Sequence, residues 1–173
     1  MAETRPQRKR PAPLDKDKLR ALALSYVGRY ATTRHRLGDY LRRKLRERGW
    51  AGEQEADVAA LVADFATLSY VDDEAFASNR AASLLRRGYG PARVRANLGQ
   101  SGIEREQIAV AAAVDIEQER EAALIFAKRK RIGPFRQSET NPREREKAMA
   151  AMLRAGHGFD LAREIVNALP ERD

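Results

Sequence analysis

Cysteine is absent from this 173-residue chain. That removes disulfides, thiolate metal sites and cysteine nucleophiles in one step. Histidine is nearly as scarce, with only His35 and His157, far apart in sequence. A histidine-based metal site or a Ser/His/Asp relay is therefore poorly supplied. Aromatic residues reach only 6%. With few β-branched residues beside them, they do not furnish a β-sandwich or barrel of this length. No apolar run approaches the ~18 residues of a membrane helix, and no signal-peptide core follows the N-terminus. These absences lead us to expect a soluble cytoplasmic protein with no metal, no cofactor and no membrane association.

What the chain does have is charge and helix formers. Lys and Arg number 33 against 25 Asp and Glu, a formal charge of +8. Apolar residues, at 43%, are sufficient for a packed core. The basic excess predicts an acidic partner. Residues 1–13 hold three prolines and four basic residues with a single acid, and nothing among them makes a packed face. We read them as a disordered basic arm.

From Leu14 onward the hydrophobic period is helical. Leu19, Leu22, Ala23, Tyr26 and Tyr30 form one stripe behind an Asp15 cap. Thr33 caps a second helix carrying Leu37, Leu41 and Leu45, and Gly49 stops it. Val58, Leu61, Val62, Phe65 and Leu68 mark a third. Asp72 and Asp73 open a helix through Leu84 and Leu85 that ends at Gly88, and Pro91 starts a short one that stops at Gly102. Helices are expected over 104–116, over 117–131, from Pro142 to Gly156, and behind an Asp160 cap to the end, about nine in all.

One pattern recurs at nearly equal spacing: two apolar residues one helical turn apart, then glycine. The copies are Leu41-Leu45-Gly49, Val94-Leu98-Gly102 and Ala148-Met152-Gly156. A large apolar residue, Trp50 or Ile103, follows the first two glycines. In the third, His157 stands there and Phe159 is expected to do the packing. The fold class is therefore all-α, with three tandem three-helix repeats in an elongated, curved arrangement. The expected divisions are the arm 1–13, then repeats over 14–72, 73–116 and 117–173.

Catalytic chemistry finds no foothold. The carboxylates lie among bases on polar helix faces, and no pair stands out as two acids in distinct environments. Gly88-Tyr89-Gly90-Pro91 lacks the Lys-Ser/Thr of a phosphate loop. The basic clusters carry more information. Arg42, Arg43, Lys44 and Arg46 crowd one helix; Arg86, Arg87, Arg93 and Arg95 flank the Gly88–Pro91 turn; Lys128, Arg129, Lys130 and Arg131 are contiguous. Guanidinium forks suit phosphate and carboxylate equally. Tyr89, within the turn, is a candidate to stack on a base or to pack on its own repeat. The helices at 33–48 and 91–101 also invite a helix-turn-helix reading. Their exposed residues are chiefly Arg and Glu, which suit phosphates or protein surfaces better than base edges.

Two blocks then resemble a known family. Tyr70-Val71-Asp72-Asp73-Glu74-Ala75-Phe76-Ala77, and Gly88-Tyr89-Gly90-Pro91-Ala92-Arg93-Val94-Arg95 with Leu98 and Gly102-Ile103, are similar to the conserved blocks of the RecX family. Leu37–Trp50 looks like that family's first-repeat block, so the resemblance spans roughly residues 20 to 116. It implies three tandem three-helix repeats in a small cytoplasmic bacterial regulator that binds the RecA filament. Such a regulator suppresses RecA's ATPase and strand exchange, and so acts in DNA repair, recombination and the SOS response. Some relatives also contact DNA. The resemblance brings no catalytic residue. It implies structural roles for Asp72 as cap, Phe76 as core, Gly88 and Gly102 as chain stops and Pro91 as helix start.

We therefore expect a non-enzymatic, monomeric RecA regulator. Its contact candidates are Arg42, Arg43, Lys44, Arg46, Arg86, Arg87, Tyr89, Arg93, Arg95, Lys128, Arg129, Lys130 and Arg131. The rival expectation is a protein that binds single- or double-stranded DNA independently of RecA.

Overall fold

The computed structural model describes residues 12–137 and 141–170. Residues 1–11 of the expected arm lie outside them. Among the described residues there are nine α-helices and one 3-10 turn: α1 (Lys16–Val27), α2 (Arg34–Arg48), α3 (Val58–Thr67), α4 (Asp73–Arg86), α5 (Pro91–Gly99), α6 (Arg105–Ala111), α7 (Ile116–Lys130), the turn at Gly133–Phe135, α8 (Pro142–Arg154) and α9 (Phe159–Asn167). The fold is all-helical, and its only β feature among these residues is an isolated parallel bridge between Leu14 and Trp50.

Local chemistry accounts for most of the boundaries. Asp15, Thr33 and Asp57 accept from backbone N–H groups of the first turns of α1, α2 and α3. Asp115 with Gln118 and Asn141 with Glu144 close reciprocal capping boxes at α7 and α8. Pro91 occupies the first turn of α5, where its missing N–H costs nothing. The three glycines of the recurring pattern all have positive φ: +81° at Gly49, +73° at Gly102 and +95° at Gly156. Such values favour residues without a Cβ.

The chain forms two compact units, 1–72 and 73–173. In the first, α2 packs on α1 and α3 around Leu14, Leu19, Leu37, Leu41, Phe65 and Val71, all 3% exposed or less. The backbone at Leu14 pairs with Gly49 and Ala51, and both Arg48 Nε and Nη2 donate to the Ala12 carbonyl. The last residues of the expected arm are thus fastened to the end of α2.

The second unit holds two triads. In α4–α6, Val94, Leu98, Ala77 and Ala81 form one core; in α7–α9, Ala123, Ala127, Met152, Ala162 and Ile165 form another. Tyr89 packs against both, and α4 lies against α7. The division expected at 116 falls inside this unit.

Several local expectations are corrected. The helix expected over 104–116 spans only Arg105–Ala111, and Ile116, at 88% exposed, begins α7 instead. Gly158 rather than Asp160 stands at the N-cap of α9; Asp160 lies inside the helix and pairs with Arg163. Phe159 is 56% exposed, and the packing position after Gly156 is filled by His157, at 4%.

Candidate functional site

The α2 cluster is surface charge moderated by neighbouring acids. Arg42 Nη1 donates to Asp39 at 3.0 Å, Lys44 Nζ to Glu47 at 2.6 Å, and Arg43 lies 3.7 Å from the same carboxylate. The Lys44 hydrogen bond holds the Glu47 carboxyl below its usual range. Such exposed pairs contribute little to stability and rearrange readily. Arg46 is exposed and joins no ion pair among the described residues. Arg42, Arg43 and Arg46 line one open cleft with Tyr26, Arg36 and Tyr40.

The second unit divides its candidates into engaged and open groups. Arg129 Nη1 donates to the Arg87 carbonyl at 2.8 Å, and the guanidiniums of Arg87 and Arg129 sit 5.6 and 5.7 Å from the Tyr89 ring centroid. Arg129 also lies over Phe126, at 5.3 Å. These groups knit α7 to the α4–α5 turn. Arg131 adopts the left-handed conformation that ends α7 and contacts Gln137. Arg86, Arg93, Arg95, Lys128 and Lys130 are exposed and join no ion pair among the described residues. Asn97 on α5 accepts from Arg80 of α4, so its amide serves the packing of the triad.

Behind the Tyr89 turn the contact is main chain on main chain. Gly90 N–H donates to the Ala155 carbonyl at 2.9 Å and Ala92 N–H to Gly156 at 3.2 Å. A Cβ on Gly90 would overlap the Gly156 carbonyl, and one on Gly156 would overlap Arg93. His157 completes the joint: its Nε2 lies 3.1 Å from the Gly88 carbonyl and its ring packs at 5.8 Å from Phe126. Burial lowers its pKa from the ordinary 6.5, against the opposing pull of the Gly88 hydrogen bond and Glu119. Nε2–H then donates to Gly88, and Nδ1 is buried with no partner among the described residues. Gly90 and Gly156 thus each admit a neighbouring backbone.

The structure brings Tyr40 to the Tyr26 and Tyr30 rings, a pairing across helices that sequence spacing does not show. Tyr26 from α1 and Tyr40 from α2 stack with centroids 4.2 Å apart and planes 13° from parallel, and Tyr30 tilts against Tyr26 at 5.4 Å. Tyr30 lies beyond the end of α1 and is 58% exposed, rather than continuing the inward stripe. Arg43 and Lys44 lie 5.6 and 5.9 Å from the Tyr40 centroid.

Among the described residues no three His, Cys, Asp or Glu side chains converge as a metal site, and no helix is long and apolar enough to cross a membrane.

Comparison with known proteins covers nearly the whole chain. Residues 72–111 match the family model described as RecX, second three-helix domain. The chain is 35% identical over 170 residues to the regulatory protein RecX of Myxococcus xanthus, covering 94% of this chain and 91% of that one. It is 33% identical over 156 residues to the regulatory protein RecX of Acidithiobacillus ferrooxidans, covering 88% and 91%. A crystal structure of RecX from Lactobacillus salivarius superposes with a TM-score of 0.66 at 19% identity, covering 87% of this chain and 93% of that one. The last likeness speaks for the fold; the first two, with the helical triads and turn motifs above, establish that the chain belongs to the RecX family of regulatory proteins.

Proposed function

We propose that this protein is a non-enzymatic regulator that binds the RecA filament and inhibits its ATPase and strand exchange. In that role it tempers recombination and repair in the cytoplasm. The observation that carries the reading is the set of exposed cations that join no ion pair among the described residues: Arg46 in the first unit, and Arg86, Arg93, Arg95, Lys128 and Lys130 in the second. A RecA–DNA filament presents acidic protein surface and phosphates in repeat. Exposed cations on both units of one chain can engage it with the gain in effective concentration that linkage provides. Occupancy of the filament then blocks the incoming strand and slows subunit turnover.

The test is RecA's DNA-dependent ATPase with substoichiometric protein added. The rate is expected to fall, and the protein to co-sediment with filaments. Arg93→Glu with Arg95→Glu is expected to weaken both effects while leaving the helical circular dichroism intact. An unchanged rate together with no co-sedimentation rejects the proposal. Loss of helicity in the double variant rejects the assignment of those two arginines.

A further inference from the structure

One cleft of the first unit runs against the charge of the rest of the chain. It lies between the start of α1, the segment 50–57 and α3, and has a volume of about 580 Å³. Leu19, Leu61 and Trp50 give it apolar walls. Five carboxylates line it, from Asp15, Glu53, Glu55, Asp57 and Asp64, against two cations, Lys16 and Arg20, in a protein of net charge +8. Three of the five are already engaged. Asp15 and Asp57 cap α1 and α3, and Asp64 faces Arg20 at 4.0 Å. Glu53 and Glu55 are exposed and join no ion pair among the described residues. The indole beside them is held in place. Trp50 Nε1 donates to the Gln54 carbonyl at 2.6 Å, and the ring lies so close over Gly52 that a Cβ there would overlap it. Trp50 nevertheless stays only half-buried.

An occupant of this cleft must be basic and carry apolar groups for the indole. Residues 1–11, outside the described residues, have that composition: Arg5, Arg8, Lys9 and Arg10 stand among Pro6 and Pro11, with Glu3 the one acid. Grooves with aromatic walls accept proline-bearing segments, whose stiffness lowers the entropy lost on docking. The point of attachment favours this segment over a separate protein. Ala12 is fastened to Arg48, and Asp15, three positions on, is itself part of the cleft. Leu14 runs parallel to Trp50, so the chain reaches the bridge from the end away from Gly52–Glu55 and has to double back. At ~3.3–3.6 Å per residue, the stretch from Arg5 to Ala12 spans about 24 Å, enough for a reversal and a return. So short a linkage supplies an effective concentration of about a millimolar. That offsets the small contribution of each exposed ion pair. We propose that the N-terminal segment docks in the Trp50 cleft of its own chain, with Arg5 and Arg8 on Glu53 and Glu55 and Pro6 against the indole. The contact is autoinhibitory: it withholds those cations from any acidic partner that does not outcompete the two carboxylates. It goes beyond the filament reading, and its test contains no recombinase.

Trp50 is the single tryptophan of the chain, so acrylamide quenching of its fluorescence reads the cleft in the full-length protein. At low salt the parent is expected to be protected from the quencher. That protection is expected to be lost at ~1 M salt, where the Debye length is ~3 Å. Arg5→Glu with Arg8→Glu is expected to lose it at low salt, and so is Glu53→Lys with Glu55→Lys. The four changes together, which restore the pairing with its signs exchanged, are expected to regain it. A synthetic peptide of residues 1–11 is expected to protect the Arg5→Glu, Arg8→Glu variant and to add nothing to the parent. The proposal is overturned if those two changes leave the quenching of the parent unaltered. It is equally overturned if the peptide protects the parent as well as the variant, because the cleft would then stand open to a separate partner. Protection that grows with protein concentration also overturns it, since the segment would then occupy a second copy. Failure here leaves the ATPase result standing, and an unchanged ATPase leaves this contact standing.

Discussion

Tyr40 in the first unit and Tyr89 in the second carry the same decoration, an aromatic ring attended by two cationic side chains at 5.6 to 5.9 Å. Their fates differ because of what lies around them. At Tyr40 both cations share, among the described residues, a single exposed carboxylate one helical turn away, Glu47, and a further exposed tyrosine stands nearby. At Tyr89 one guanidinium is committed to a main-chain carbonyl, and the ring packs against two cores at once. A cation over a ring is therefore no guide to function by itself. What decides is whether the donors have been spent and whether a neighbouring backbone has closed over the turn.

That contrast is open to attack from the Tyr89 side. The largest effect is expected from Gly90→Ala. The new methyl meets the Gly156 main chain, which cannot swing aside as a side chain would. Overpacking of this kind costs about 1–3 kcal/mol, occasionally more. Urea denaturation is expected to show the loss, and hydrogen exchange to place it in α4–α9 with α1–α3 unaffected. A neutral substitution would mean that the joint is loose and that Tyr89 is as available as Tyr40.

Acid provides the next probe. The folded pKa of His157 is lowered, chiefly by burial, so below the ordinary value of 6.5 the unfolded chain binds more protons than the folded one. The stability contributed is full above pH 6.5 and declines as pH falls from there through the lowered folded value. Protonation would also place an N–H at Nδ1, where no acceptor waits among the described residues. Asp15, Glu47 and Glu164 are held below ordinary values of 3.8, 4.5 and 4.5, so their losses come at lower pH. The urea midpoint is expected to drop on mild acidification in the parent and to flatten in His157→Gln. Equal slopes in the two would remove His157 from the joint.

The smallest effect is expected from Arg129→Ala. Its hydrogen bond to Arg87 is partly open to water, and a net cost of about 1 kcal/mol is appropriate. Arg46→Ala, with no such bond, is expected to leave the melting temperature unchanged. If the two behave alike, the division between engaged and open cations fails.

Much of the architecture could be read from residues that act locally. Asp15 and Thr33 cap, Pro91 starts and Gly49 stops where their chemistry requires, and Leu41, Val94, Leu98 and Met152 are fully buried. The misreadings arise where a distant neighbour decides. Hydrophobicity favoured Phe159 for the packing position. Only the carbonyl of Gly88, a long way back in the chain, makes a histidine suitable there. The glycines of the Tyr89 turn announce tight chain reversal. That they also receive Ala155 and Gly156 becomes visible only when the two triads are folded together. The basic clusters were legible as positions and not as roles, since nothing in the spelling of Lys128–Arg131 distinguishes Arg129, which bonds across to the α4–α5 turn, from the exposed lysines beside it. Period counting aligns Tyr26 with Tyr30 but not with Tyr40, which comes from another helix, since it compares residues within one.

The glycine-to-glycine contact also bears on how such a chain can grow or be rearranged. If α4–α6 or α7–α9 were moved alone into another protein, the N–H groups of Gly90 and Ala92, or the carbonyls of Ala155 and Gly156, would arrive without their counterparts. The transplantable piece is the couple. An array lengthened by copying a single triad must first acquire a matching bare spot on the recipient's backbone, whereas one lengthened by copying both carries its own seam with it.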